Sequence, residues 1–217
     1  MTALNFINKN SFQIESSYLG SYDYQRAELL QLDLYQLALK KQFSVIGLEH
    51  PAVLTLGHRA TLQDEVLFDS IPVVRSSRGG LATIHSEGQL VIYPILDLRA
   101  LGIGVKDYVR LLMKTTQALL TELKIDSSID DQVVGLNTVN GKIAFCGIQI
   151  KNGISQHGIS LNVRNDLKLF NSIRACGMEN LRLDRLANWS VDASLSELFT
   201  VWNRIFKVQL ERLGAAD

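Results

Sequence analysis

Apolar residues at Ala27, Leu30, Leu34, Leu37 and Ala38 recur three and four apart within 22–41, which predicts an amphipathic helix closed by lysines. FSVIGLEH then reads as a buried strand, and Pro51 opens the apolar segment AVLTLG. Residues 60–70 read as a polar loop or short helix, IPVVRSS as a short strand, and LVIYPILDL as a strand ending near Pro94. GVKDYVRLLMKTTQALLTELKI predicts a second long helix, with Val109, Leu112, Met113, Thr116, Leu119, Leu120 and Leu123 as its apolar stripe. VVGLNTVNGKIAFCGIQIKNGISQHGISLNV reads as three strands, with a strong hairpin signal at Asn140-Gly141 and a second turn at Asn152-Gly153. A last helix, SLSELFTVWNRIFKVQLERL, begins with Ser194 and Glu197 spaced as a capping box. The expected fold class is α+β, a mixed and mostly antiparallel sheet with flanking helices.

Composition narrows this little. The 217 residues suffice for one sizeable core, so one domain, 1–217, is expected. Lys+Arg and Asp+Glu both number 22, so nothing in the bulk charge favours nucleic acid or an anionic membrane as partner. There is neither a signal-peptide pattern nor an apolar run of membrane-spanning length. Two cysteines make no disulfide framework and no C-x-x-C zinc motif, which points to the reducing cytoplasm and to no metal.

Candidate chemistry lies in a few short stretches. In RGGLATIHSEGQ, Arg78 supplies a positive fork, Gly79 and Gly80 permit close backbone approach, and His85 follows. Cys176, in RACGMEN, sits in a polar, glycine-flanked loop where a thiol is accessible; Cys146, in KIAFCGIQI, sits in a strand where burial makes it inert. Lys142 opens that strand after a tight turn. It is either a solvated hairpin lysine or the cation that lowers a nearby thiol's pKa. His157 precedes a glycine, whereas His50 and His58 read as ordinary loop residues.

LEHPAVLTLG, RGGLATIH with GQLVIYPILDL, GKIAFCGIQI, HGISLNV and IRACGM occur in the order and near the spacing of the lipoyl(octanoyl) transferase family, which the chain resembles over nearly its whole length. The resemblance implies a fold related to the catalytic domains of lipoate–protein and biotin–protein ligases. It implies transfer of an octanoyl group from octanoyl acyl carrier protein to a lysine of a lipoyl domain, through a thioester on Cys176 assisted by Lys142. The acceptors it implies are lipoyl domains of 2-oxoacid dehydrogenases or the glycine cleavage H protein. Arg78, Gly79, Gly80, Leu81, Ala82, Thr83, Ile84 and His85 would then bind substrate, with Phe145, Cys146 and Gly147 and with Gly158, Ile159 and Ser160. No cofactor is implied, and the family is usually monomeric.

The chain departs from the family pattern at Glu87 and Ala175, where prolines are usual, at Met178, at Gln156, where an aromatic is usual, and at Val134-Gly135, which lacks the usual tryptophan. Glu87, next to His85, is expected to raise the imidazole pKa if the side chains meet. Three other readings compete: an ATP-dependent lipoate–protein ligase, a Cys–His thioesterase, and a degenerate acyl- or lipoyl-domain-binding module.

Overall fold

The computed structural model describes residues 13–60, 71–130, 133–172 and 182–214. A seven-stranded sheet runs in the order β1-β2-β6-β10-β9-β8-β7. Its strands are β1 (Ile14–Ser21), β2 (Phe43–Glu49), β6 (Gln89–Ile95), β7 (Ser128–Asp130), β8 (Gly135–Thr138), β9 (Gly141–Lys151) and β10 (Ile154–Asn162). A smaller sheet, β4-β3-β5, is built from β3 (Val53–Leu56), β4 (Val73–Arg75) and β5 (Ala82–His85). Only β1–β2 and β3–β4 pair in parallel, so the mixed, mostly antiparallel expectation holds. Strands β1 and β5 are not among the expected elements: IESSYLGS mixes polar and apolar residues without a clean alternation, and ATIH is only four residues long.

Three helices cover the sheet: α1 (Tyr24–Ala38), α2 (Val105–Glu122) and α3 (Leu195–Gly214). Helix α1 starts where Asp23 accepts a bond from the Arg26 N–H, as an N-cap should. Its buried face largely follows the predicted stripe, with Ala27 and Ala38 buried and Leu30 and Leu34 packed half-buried against the core. Tyr24, Ala27, Gln31, Tyr35 and Ala38 are buried, whereas Leu37 is exposed. Polar residues share that face because the helix lies close against β10 and makes bonds there: Gln31 Oε1 accepts from the His157 N–H at 2.6 Å, and Asn152 donates to the Tyr35 hydroxyl at 3.0 Å. Helix α2 buries Tyr108, Leu112, Met113, Thr116, Leu119 and Leu120, close to its expected stripe. Trp202 of α3 is fully buried, donates to Thr116 Oγ1 at 2.8 Å and stacks on Phe206. The Ser194–Glu197 capping box forms, each residue bonding the other's backbone N–H.

Asn152 and Gly153 both take the left-handed conformation, with φ of 52° and 88°, as a two-residue type I′ hairpin requires. That turn fixes the register of β9 on β10, so Gly147 faces Gly158 and Phe145 faces Ser160. The small sheet has its own core of Leu54, Leu56, Ala82 and Ile84, completed by Phe145 and Phe170 stacked 5.7 Å apart. Phe145 thus ties the two sheets together.

Candidate active site

Between the small sheet and strands β6, β9 and β10 lies a cavity of about 260 Å3. Two glycines face one another in its wall. Neither Gly147 nor Gly158 projects a side chain from the β9–β10 pair, and a Cβ on Gly158 would fall 2.2 Å from the Ile92 carbonyl oxygen. Of the residues expected to bind substrate, Arg78, Gly79, Gly80, Leu81, Thr83 and His85 reach the wall from one side. Phe145, Cys146 and Gly147 reach it from β9, and Gly158, Ile159 and Ser160 from β10. Ala82 and Ile84 do not line the cavity, because strand alternation turns them into the core of the small sheet.

Arg78 is buried, and its guanidinium is committed to the fold. It donates to the Thr55 carbonyl at 2.7 Å, to Thr55 Oγ1 at 2.8 Å and to the Gly79 carbonyl at 3.0 Å. The glycine pair also presses against backbone: the Gly79 N–H donates to the Ile148 carbonyl of β9 at 2.9 Å. Gly80 takes φ of 91°, which suits a residue without Cβ. Arginine and glycines together lock the loop before β5 onto both sheets.

At the polar end of the cavity, His85, Tyr93 and His157 of the wall are backed by a cluster that sequence alone leaves scattered. His50 does lie in the loop after β2, but it is fully buried. Its Nδ1 faces the Tyr22 carbonyl at 2.6 Å, which can only accept, so Nε2 accepts from the Tyr93 hydroxyl at 3.0 Å. Burial lowers this imidazole to about 4 and that of His157 to about 3, and holds His85 well below its ordinary value. His85 bonds Gln89 Oε1 at 2.7 Å, and Gln89 in turn donates to Asn162. Glu87 is exposed and does not set the His85 pKa; burial dominates, with lowering contributions from His50 and Arg78. His157 stands at φ of 56°, and its Nδ1 and the neighbouring wall atom Thr83 Oγ1 have no hydrogen-bond partner. Tyr24 and Tyr93 complete the cluster, packed against the imidazoles with ring centroids 5.0–6.1 Å apart. Tyr93 was hidden inside an apolar strand pattern, and only the period-2 alternation of LVIYPIL could have drawn attention to it.

Lys142 is fully buried, contrary to a solvated hairpin lysine, and is not itself in the cavity wall. Its Nζ donates to Asp130 Oδ2 at 3.1 Å and to the Val133 carbonyl, and lies 5.6 Å from the centre of the Phe145 ring. Gly135 leaves space for it, since a Cβ there would fall 2.8 Å from Nζ. Burial alone would raise the Asp130 carboxyl, but the Val133 N–H and the Lys142 ammonium outweigh it and hold the group below the usual carboxylate range. The Lys142 backbone pairs with the segment 182–184: its N–H donates to the Arg182 carbonyl, and the Asp184 N–H donates to its carbonyl. Asp184 anchors that segment by accepting from Thr138 at 2.5 Å, Trp189 at 2.6 Å and Asn188 at 2.8 Å.

Cys176 lies outside the described residues, as do Ala175 and Met178, and as do 61–70 of the loop expected at 60–70. Cys146 sits on β9 in the cavity wall, half-buried, with burial pushing its thiol up to about 12. No helix among the described residues is long and apolar enough to cross a membrane.

Residues 23–205 match the model of the lipoyl protein ligase A/B catalytic domain. The chain is 34% identical over 183 residues to an octanoyltransferase of Chromobacterium violaceum, covering 83% of this chain and 87% of that one. It is 42% identical over 140 residues to an octanoyltransferase of Saccharophagus degradans, where the aligned stretch covers 64% of this chain and 65% of that protein's length. Among solved structures, a bi-partite lipoate protein ligase from Thermoplasma acidophilum matches with a TM-score of 0.74 at 16% identity, over 92% of this chain and 84% of that one. A biotin protein ligase from Aquifex aeolicus matches with a TM-score of 0.59 at 12% identity, over 95% and 73%. At those identities the structural likeness is one of fold.

Proposed function

The chain belongs to the lipoyl protein ligase A/B catalytic domain family, and on that premise we propose that it is an octanoyltransferase: it moves an octanoyl group from a thioester donor to a lysine of a lipoyl domain. Octanoyl acyl carrier protein is the donor, and residues 1–217 act as one catalytic domain, monomeric and cytoplasmic. The Cys176 thiolate attacks the thioester carbonyl, a new C–S bond forms, and the carrier's thiolate leaves, taking a proton from Lys142. The acceptor amine then attacks the acyl-enzyme, its proton passes to Lys142, and the C–S bond to Cys176 breaks as the amide forms. No ATP is consumed, because thioester exchanges for thioester and the final amide is downhill.

The observation that carries this reading is the pairing of a largely apolar cavity with a fully buried lysine under its Phe145 wall. The six or seven methylenes of an octanoyl chain, at about 0.8 kcal/mol each, supply roughly 5 kcal/mol for gripping the donor there. The described residues flanking Cys176 also favour a partnership with Lys142. On one side Phe170 stacks on Phe145, and on the other Leu183 bridges to Lys142 itself.

Incubation with octanoyl carrier protein and an apo lipoyl domain, without ATP, tests the reading by intact mass. The lipoyl domain gains one octanoyl group, and the wild-type enzyme without acceptor carries one hydroxylamine-labile octanoyl. Transfer that requires ATP, or that survives Cys176→Ala, would return the chain to the ligases. Release of free octanoate with no acceptor modified would make it a thioesterase.

A further inference from the structure

We propose that Asp130 is the positioning residue for Lys142: its carboxylate fixes the lysine's ammonium in a closed seat beneath the cavity wall. The inference rests on the reading above for what the lysine then does, but the seat itself is independent of it. Four features build it. Asp130 Oδ2 stands 3.1 Å from Nζ, the Val133 carbonyl takes a second N–H, the Phe145 ring lies 5.6 Å away, and Gly135 leaves the remaining side open to the lysine stem. Val133 and Phe145 are at once walls of the seat and walls of the cavity.

The seat's geometry is set by the turn before β8. Asp130 Oδ1 accepts from the Val133 N–H at 3.1 Å, which holds Val133 in place, and Asn137 of β8 donates to Oδ2 at 3.3 Å. One carboxylate therefore holds Val133 in place and neutralises the ammonium that the Val133 carbonyl holds. Removing its charge would leave an ammonium with no exposed surface that faces, among the described residues, a carbonyl and a ring. A buried cation without a counter-charge gives up its proton or swings out of its seat. Either way the positive charge leaves the place from which it supports a thiolate.

Asp130→Asn is the test, with Asp130→Glu as the variant that keeps the charge. Lys142 labelling by a small amine-acylating reagent at pH 7, read by peptide mass, should rise at least tenfold in Asp130→Asn and stay near wild type in Asp130→Glu. The pH midpoint for Cys176 alkylation should move up in Asp130→Asn, and octanoyl transfer should lose kcat with little change in KM. Asp130→Glu should restore most of both. If Asp130→Asn does not fold, Asp130→Ser takes its place, because a serine hydroxyl can still accept from the Val133 N–H. Unchanged Lys142 labelling, or a Cys176 midpoint that moves down, overturns the proposal. Raised labelling with an unmoved Cys176 midpoint upholds the seat and overturns instead the partnership of Lys142 with Cys176.

Discussion

Gly147 and Gly158 face one another across the β9–β10 pair and both wall the cavity, yet the same added methyl should have opposite effects at the two sites. A Cβ on Gly147 would meet the Gly79 carbonyl oxygen at 3.3 Å and Arg78 Cδ at 3.5 Å, contacts that a small shift absorbs. Gly147→Ala should therefore fold and place a methyl where substrate would lie. Displacing one methylene of an octanoyl chain forfeits about 0.8 kcal/mol, or roughly a fourfold loss of affinity. A hexanoyl chain, shorter by two methylenes, escapes that loss. The kcat/KM ratio of octanoyl to hexanoyl carrier protein should thus fall about fourfold relative to wild type. At Gly158 the methyl would sit 2.2 Å from the Ile92 carbonyl oxygen, which no rotamer change relieves. Gly158→Ala should cost roughly 1–3 kcal/mol of stability, read as a lowered Tm, before any question of selectivity arises. An unchanged or raised octanoyl preference in a normally folded Gly147→Ala would refute the cavity as the acyl site. Equal stability in both variants would refute the packing argument.

Three further outcomes follow from buried groups and caps. His50 and His157 hold fewer protons folded than unfolded below pH ~6.5, so their contribution to stability is full above that pH and is lost as pH falls toward about 4 and about 3; imidazole NMR shifts should stay flat from pH 5 to 8 while Tm declines below pH 6.5. Cys146, with its thiol pushed up to about 12, should resist iodoacetamide at pH 8 in the native protein more than about a hundredfold better than in urea, and Cys146→Ser should still acquire the octanoyl thioester. Ser194→Ala removes one half of the α3 capping box and should cost about 1 kcal/mol, seen as a Tm lower by roughly 2–4 °C with transfer kinetics unchanged.

Periodicity revealed α2, α3 and the β8–β9–β10 meander because each repeats one signal over many residues and ends in turn chemistry of its own. It placed the face of α1 except at Leu37, which is exposed, and it missed the polar residues that share that face. Here Gln31 and Tyr35 face inward because partners on β10 and in its hairpin satisfy their polar atoms. The stretch around Arg78 was conspicuous in the sequence, but what it approaches is the chain's own backbone at Thr55 and Ile148. Pairings across β3 and β9 are long-range facts that no local pattern encodes. The same holds for Asp130, which nothing in DSSIDDQ distinguishes from its acidic neighbours until the fold brings it to Lys142. His50 stands 43 residues from the tyrosine whose hydroxyl it receives.

His157 keeps an unfavourable left-handed backbone in the middle of a strand, and the Gln31 side chain on α1 receives the N–H which that kink turns away from the sheet. Across descendants of this protein, position 31 should therefore keep a side chain that accepts a hydrogen bond for as long as the kink at 157 is kept, although 126 residues separate the two. A leucine at 31 would strand a buried donor whatever side chain stood at 157, because the N–H belongs to the backbone. Anyone grafting this cavity onto another scaffold would have to carry the first helix along with it, although none of the cavity's lining residues comes from that helix.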